Sequence, residues 1–263
     1  MTVYYAVVGA SRGIGLEFVR QLASRPDSVV FALVRNRQKS THLASAVSAL
    51  NNVHVFDADV ADHESLTHAA QEVAKVSGGK LDYLIHNAAK TDTSVLRGYD
   101  DFETMDELDA EFIESFRVNA LGVVHSTAAF LPLLRAAPTK RIVVIGSGGG
   151  DHKFVYDAGI ASMGAYGASK GAAVILTAKW AAKLKDEGFV VVTLSPGLVD
   201  TTDPSNAEAR DAIYKSEEAL RANGFKQGFQ TPEQSVRAQL QVIDGLTPAD
   251  NGAFLKHNGD SYL

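Results

Sequence analysis

Val3-Tyr4-Tyr5-Ala6-Val7-Val8-Gly9-Ala10-Ser11-Arg12-Gly13-Ile14-Gly15 stands almost at the start of the chain, and its reading decides the architecture. The apolar and aromatic run before Gly9 reads as a strand buried on both faces. The glycines then permit a tight turn, and the apolar spacing over 14–24 predicts a helix. A strand that ends on glycine and turns into a helix offers free N–H groups and open backbone to a pyrophosphate. The spacing here is G-x-x-x-G-x-G, not the G-x-G-x-x-G of the general dinucleotide fingerprint. A glycine-rich turn without a ligand is the alternative, and the position after the first strand favours the nucleotide.

The rest of the chain repeats this alternation. Strand-like runs fall at 29–34, 53–56, 81–85, 141–145 and 190–194, with a last short one around Phe254. Helical patterns fill 64–76, 108–135, 163–185 and 232–243. Continuous apolar strands alternating with helices predict an α/β fold, a doubly wound, Rossmann-type parallel sheet of about seven strands with helices on both faces. No linker, repeat or low-complexity tract interrupts it, so a single NAD(P)-binding domain is expected over 1–263. Residues 202–230 mix polar and apolar positions beside the expected cofactor site, with a helical portion over 207–222, and read as a substrate-binding lid. Thr231-Pro232-Glu233-Gln234 then restarts a helix with a cap, a first-turn proline and a capping-box partner.

Composition narrows the function. The 263 residues are 46% hydrophobic and 21% charged, ample for a core. Net charge is -6 and no lysine or arginine stripe is present, which argues against nucleic acid as a partner. The absence of cysteine excludes disulfides and thiolate metal sites. The first residues lack a basic leader and no apolar run reaches membrane-spanning length, so a cytoplasmic chain with no membrane partner is expected. His86 has no partner histidine at ligand spacing, and no metal site is expected.

Candidate site residues collect at strand ends. Arg35 and Asn36 follow the second strand, where an acidic residue would hold the ribose hydroxyls of NAD and an arginine accommodates a 2′-phosphate. Arg12 in the glycine turn reaches towards the same phosphate, so NADP(H) is expected in preference to NAD(H). Asp59 after the third strand suits an adenine edge, and Asp62 suits a helix N-cap. Asn87-Ala88-Ala89 after the fourth strand are small enough to let a cofactor lie against the backbone. Asn119 falls among apolar neighbours of the long helix, either as a bend or water site or as a satisfied core amide. Ser147 ends the fifth strand, and the loop over 151–162 carries His152, Phe154 and Tyr156, which could line a substrate pocket. Tyr166 and Lys170 lie one turn apart on one helix face. An ammonium beside a phenol lowers its pKa and makes it usable for proton transfer near neutral pH.

Taken together, Gly9, Gly13 and Gly15, then Asp59-Val60, Asn87-Ala88, Asn119, Ser147, Tyr166 with Lys170, and Pro196-Gly197 occur in the order of the short-chain dehydrogenase/reductase family, which the chain resembles over nearly its whole length. The stretch around Asn251-Gly252-Ala253-Phe254 and Asn258-Gly259 resembles the branch containing the carbonyl reductase Sniffer and C-factor proteins. The resemblance implies that Tyr166 exchanges the proton with a carbonyl or alcohol oxygen. It implies that Lys170 holds the nicotinamide ribose, Ser147 hydrogen-bonds the substrate and Asn119 positions a water. Gly9, Ser11, Arg12, Gly13, Ile14 and Gly15 would surround the phosphates, and Asp59 and Val60 the adenine. Asn87, Ala88 and Ala89 would lie along the cofactor; Pro196, Gly197, Val199 and Thr201 would border the nicotinamide. An NADPH-dependent reductase acting on a small carbonyl, or the reverse dehydrogenase, is expected, as a homo-oligomer of two or four chains. A cofactor-binding regulator without turnover and an epimerising enzyme are the competing classes. Three positions depart from the family pattern: Val8 for Thr, His86 for Asn and Ala89 for Gly.

Overall fold

In a computed structural model, residues 2–202, 218, 221–222, 224 and 228–262 are described. β1 (Val3–Val8), β2 (Ser28–Val34), β3 (Val53–Asp57), β4 (Tyr83–His86), β5 (Arg141–Ile145), β6 (Val190–Ser195) and β7 (Phe254–Lys256) form one sheet in the order β3-β2-β1-β4-β5-β6-β7. All pairings are parallel. Order reverses between β1 and β4, so their carboxyl ends open the crevice where sheets of this kind bind ligands. The predicted class and the strand positions hold to within two residues at each end.

Two hydrophobic layers cover the sheet. On one face Phe18, Val19 and Leu22 of α1 (Gly13–Ala23), Leu43 of α2 (Thr41–Val47) and Val236, Leu240 and Ile243 of α8 (Pro232–Asp244) are buried. On the other, Leu66 and Val73 of α3 (His63–Ser77), Phe130 and Leu134 of α5 (Gly122–Ala136) and Ala173 and Leu184 of α7 (Gly164–Leu184) close the core. Asp62 caps α3 by accepting from the N–H groups of Glu64 and Ser65, and Thr231 and Gln234 close the expected capping box of α8.

Three elements differ from the sequence reading. The helix expected over 108–135 is α4 (Met105–Phe116), a widened π turn (Arg117–Leu121) and α5. The loop expected over 151–162 contains α6 (His152–Asp157), capped by Asp151. The short α2 has too little apolar periodicity to announce itself: Leu43 is its one buried residue. The lid at 202–230 and the helix over 207–222 lie, apart from their ends and a few single positions, outside the described residues. Among the described residues no helix is long and apolar enough to cross a membrane.

Candidate active site

The glycine turn brings β1, β4 and α1 into contact closer than side chains allow. A Cβ on Gly9 would lie 2.6 Å from the Ala88 Cα, and one on Gly15 would lie 2.1 Å from the Gly9 carbonyl oxygen. Gly9 and Gly13 are left-handed, with φ of 84° and 55°. Asn87 ties the two strand ends together by donating its backbone N–H to the Val8 oxygen at 2.9 Å and Nδ2 to the Gly9 oxygen at 2.9 Å. Val8 has no hydroxyl for this contact, and the Asn87 side chain reaches the backbone instead. The N-terminus of α1 has no side-chain cap and no acidic residue in its first turn. Its free N–H groups, with open backbone around Ser11 and Ile14, fit an anionic pyrophosphate. Thr201 arrives from beyond β6 and lies over the same turn, its Cγ2 3.2 Å from where a Gly13 Cβ would stand.

Two exposed arginines stand in the turn after β1 and at the end of β2. Arg12 and Arg35 are exposed, whereas Arg37 is drawn to Asp57 at 3.5 Å. Asn36 spends its carboxamide oxygen on the Lys39 N–H, capping a short 3-10 turn. Asp59 accepts from the Ala61 N–H at 2.9 Å. Val60 is buried against Gly122, whose missing Cβ would come within 2.9 Å of it.

The proton-transfer candidates meet at the end of β5. Ser147 accepts from the Gly149 N–H at 3.1 Å and caps the 3-10 turn Gly148–Gly150. That turn packs directly on α7: a Cβ on Gly167 would lie 2.8 Å from the Gly149 oxygen. The close approach places Ser147 within hydrogen-bonding reach of the Tyr166 phenol. Burial pushes the Tyr166 pKa up, and the Ser147 hydrogen bond pulls it partly back. Lys170 is 4% exposed and donates to the Ile145 oxygen at 2.9 Å. Its Nζ is 5.8 Å from the Tyr166 ring centre, and burial lowers its own pKa to about 8. The lowered phenol pKa expected from sequence is therefore not the state of this structure, because desolvation outweighs the Ser147 hydrogen bond.

Asn119 is 1% exposed and sits in the middle of the π turn. Its Oδ1 accepts from the Lys90 N–H at 2.7 Å, and its Nδ2 donates to Ser169 Oγ at 2.9 Å. Both sequence readings of Asn119 thus hold in part: the helix is distorted there, and the amide is satisfied by protein groups. Pro196 is fixed by Ser235 on its oxygen at 2.7 Å, Gly197 is left-handed between Gln230 and His257, and Val199 pairs with Gln230.

His152 and Tyr156 line a depression of about 640 Å³ with Gly149, Gly150 and Ala168, on the outer side of the Gly148–Gly150 turn; neither Ser147 nor Tyr166 lines it. Phe154 instead packs beside Gly148 together with Tyr262, a residue the sequence reading missed. The Tyr262 ring stacks on Phe254 at 4.3 Å, and its hydroxyl donates to Ser195 Oγ at 3.3 Å. As the last but one residue of the sequence it carried no signal of its role, since the return of the tail to β7 is a tertiary event. His86 is 1% exposed and contacts Ser126 Oγ through Nδ1 at 2.7 Å. Burial, followed by the Lys170 charge, lowers its pKa to about 3. Among the described residues no cluster of side chains suited to a metal ion occurs.

The profile of the short chain dehydrogenase family matches residues 4–212. The short-chain dehydrogenase/reductase atnB of an Arthrinium species is 39% identical over 267 aligned positions, covering 97% of each chain. The crystal structure of an NADPH-bound carbonyl reductase from chicken fatty liver superposes with a TM-score of 0.80 at 27% identity over 99% of both chains. That of the carbonyl reductase Sniffer, described as putative, of Caenorhabditis elegans gives 0.78 at 25% identity, over 100% of this chain and 99% of the other. With a family profile spanning most of its length and a relative that shares well over a third of its residues end to end, this chain belongs to the short-chain dehydrogenase/reductase family.

Proposed function

We propose that the chain is an NADPH-dependent reductase that converts a small carbonyl compound to an alcohol, or runs the reverse reaction, with Tyr166 as the acid. The observation that carries this reading is the meeting of Ser147, Tyr166 and Lys170 at the end of β5, across the crevice from an uncapped helix N-terminus. NADPH, when bound, supplies the hydride that goes to the carbonyl carbon.

The chain's own groups do the rest. Ser147 Oγ accepts from the Gly149 N–H and so keeps its own proton to donate to the carbonyl oxygen. Tyr166 holds its phenolic proton at neutral pH, as any phenol with a pKa near or above the ordinary value does, and releases it to the same oxygen as negative charge develops there. Lys170 stands at the ribose end of the site, and Asn119 holds α7 to the loop after β4 through Ser169. Gly9, Ser11, Gly13, Ile14 and Gly15 cradle the phosphates, with Arg12 and Arg35 on the 2′-phosphate. Asp59, Val60, Asn87, Ala88 and Ala89 border the adenosine and ribose, and Pro196, Gly197, Val199 and Thr201 the nicotinamide. The chicken relative, described as NADPH-bound, supports the choice of cofactor. The test follows NADPH absorbance with a panel of aldehydes and ketones. Turnover that disappears in Tyr166→Phe supports the reading; an inert parent, or turnover indifferent to the phenol, refutes it.

A further inference from the structure

The loop after β4 is held by a buried ion pair outside the proposed catalytic groups. Lys90 Nζ lies 3.0 Å from Glu111 Oε1 and 3.1 Å from Oε2, and the two side chains are 8% and 10% exposed. Asp92 at 3.0 Å and the Ser94 hydroxyl complete the ammonium's partners. Ser115, one turn along α4, donates to Glu111 Oε1 at 3.1 Å. The backbone N–H of the same Lys90 is the group that meets Asn119 Oδ1. The connection continues through Asn119 Nδ2 to Ser169 Oγ, which donates to the Tyr166 carbonyl oxygen at 2.7 Å.

We infer that Lys90 and Glu111 are positioning residues: their ion pair pins the Asn87–Lys90 strip to α4 so that Asn119 can lock it against the helix carrying Tyr166 and Lys170. The strip has two anchors. At its start Asn87 is bonded to the Val8 and Gly9 oxygens. At its end stands Lys90, where a neutral residue would leave one backbone hydrogen bond as the tie. A buried charge pair with bidentate contact fixes both partners in one geometry, which a single exposed hydrogen bond does not. Its cost in desolvation makes it a poor source of stability and better suited to specifying a conformation. The inference rests on the proposed reductase reading for its kinetic consequence, and on geometry alone for the anchoring.

The test replaces both buried partners by apolar groups of similar length, Lys90→Met with Glu111→Leu, so that no unpaired buried charge remains; Asp92 is exposed and stays solvated. NADPH affinity, read by fluorescence titration, falls by no more than a few-fold, because the strip keeps its Asn87 anchor and the phosphate contacts lie at α1. The kcat falls about 10- to 100-fold at unchanged KM for NADPH, the cost of a small misplacement at the reacting atoms. In the cofactor-free protein, amide exchange at Lys90 quickens about tenfold or more as the Asn119 contact loosens. The milder Glu111→Gln, which keeps an acceptor but removes the charge, shifts both readouts the same way by a smaller factor and serves if the double variant does not fold. Unchanged exchange, or unchanged kcat, overturns the inference. A parent inert towards every carbonyl would refute the reductase reading instead, and the exchange measurement would still decide the anchoring.

Discussion

Acidification should destabilise this protein through one buried histidine. His86 lies at the end of a central strand, fully enclosed, and burial with the nearby Lys170 charge holds its pKa at about 3 against an ordinary 6.5. Its folded pKa is depressed, so its contribution to stability is complete above pH 6.5, where both states are neutral. That contribution is lost as pH falls towards 3, because the unfolded chain takes up a proton the fold refuses. Between pH 6.5 and 5 the loss is about 1.5 units at ~1.4 kcal/mol each, or about 2 kcal/mol. At pH 5 this result depends on the unfolded pKa and is insensitive to the folded one, which lies far below. The perturbation is His86→Asn, which leaves a non-titrating polar group beside Ser126. Urea unfolding followed by the fluorescence of Trp180, the single tryptophan, packed against the core, gives the stability of each protein at pH 7 and pH 5. The other histidines titrate in both proteins and cancel in the difference. The parent should lose about 2 kcal/mol more than the variant over this interval. Parallel losses would show that His86 gains its proton in the folded state, and the reasoning from burial would fail.

Four substitutions test the rest of the site. Tyr166→Phe should lower kcat about 10²- to 10⁴-fold with NADPH affinity unchanged, whereas Lys170→Ala should weaken both; steady-state rates beside fluorescence titration separate the two. Arg35→Asp should cut the preference of kcat/KM for NADPH over NADH about ten- to a hundredfold, the worth of one charge-assisted phosphate contact; equal kcat/KM for the two cofactors in the parent would remove the basis for it. Gly15→Ala would drive a methyl against the Gly9 oxygen 2.1 Å away and Asn87 Nδ2 2.6 Å away. It should therefore weaken NADPH binding at least about tenfold and lower the thermal midpoint, and a variant that binds like the parent would show that the β1–α1 contact has room to relax.

The sheet was legible because its inner strands are largely buried and read as apolar runs, such as Val3–Val8 and Val190–Ser195, whereas the edge strand β3 is only half-buried. Helix ends were legible where the chemistry is local. Asp62 and Thr231 cap what the sequence says they cap. The break in the 108–135 helix was not legible, because apolar periodicity continues through it and the cause is tertiary. Asn119 is drawn to Lys90 and Ser169, on elements remote in sequence. The same holds for Tyr262, which reaches Gly148 through the fold of the tail, and for the Lys90–Glu111 pair, whose members are 21 residues apart.

At Tyr166 and Lys170 the spacing was informative and the electrostatics were not. Four residues on a helix fix a distance of approach, and the pair does share a face, with the ammonium 5.8 Å from the ring centre. Spacing carries no information about burial, and burial decides the sign. The half-buried phenol beside the Gly148–Gly150 turn loses more solvation in its ionised form than the Ser147 hydrogen bond returns, so its pKa rises. The ammonium is itself taken from water, which lowers its pKa to about 8 even though it donates a hydrogen bond to the Ile145 oxygen. A phenol of ordinary pKa is already protonated at neutral pH, so the upward shift leaves that state unchanged and makes Tyr166 a weaker acid until charge develops on the oxygen it faces. The order of the residues thus brings Tyr166 and Lys170 together, while packing sets how readily each gives up its proton.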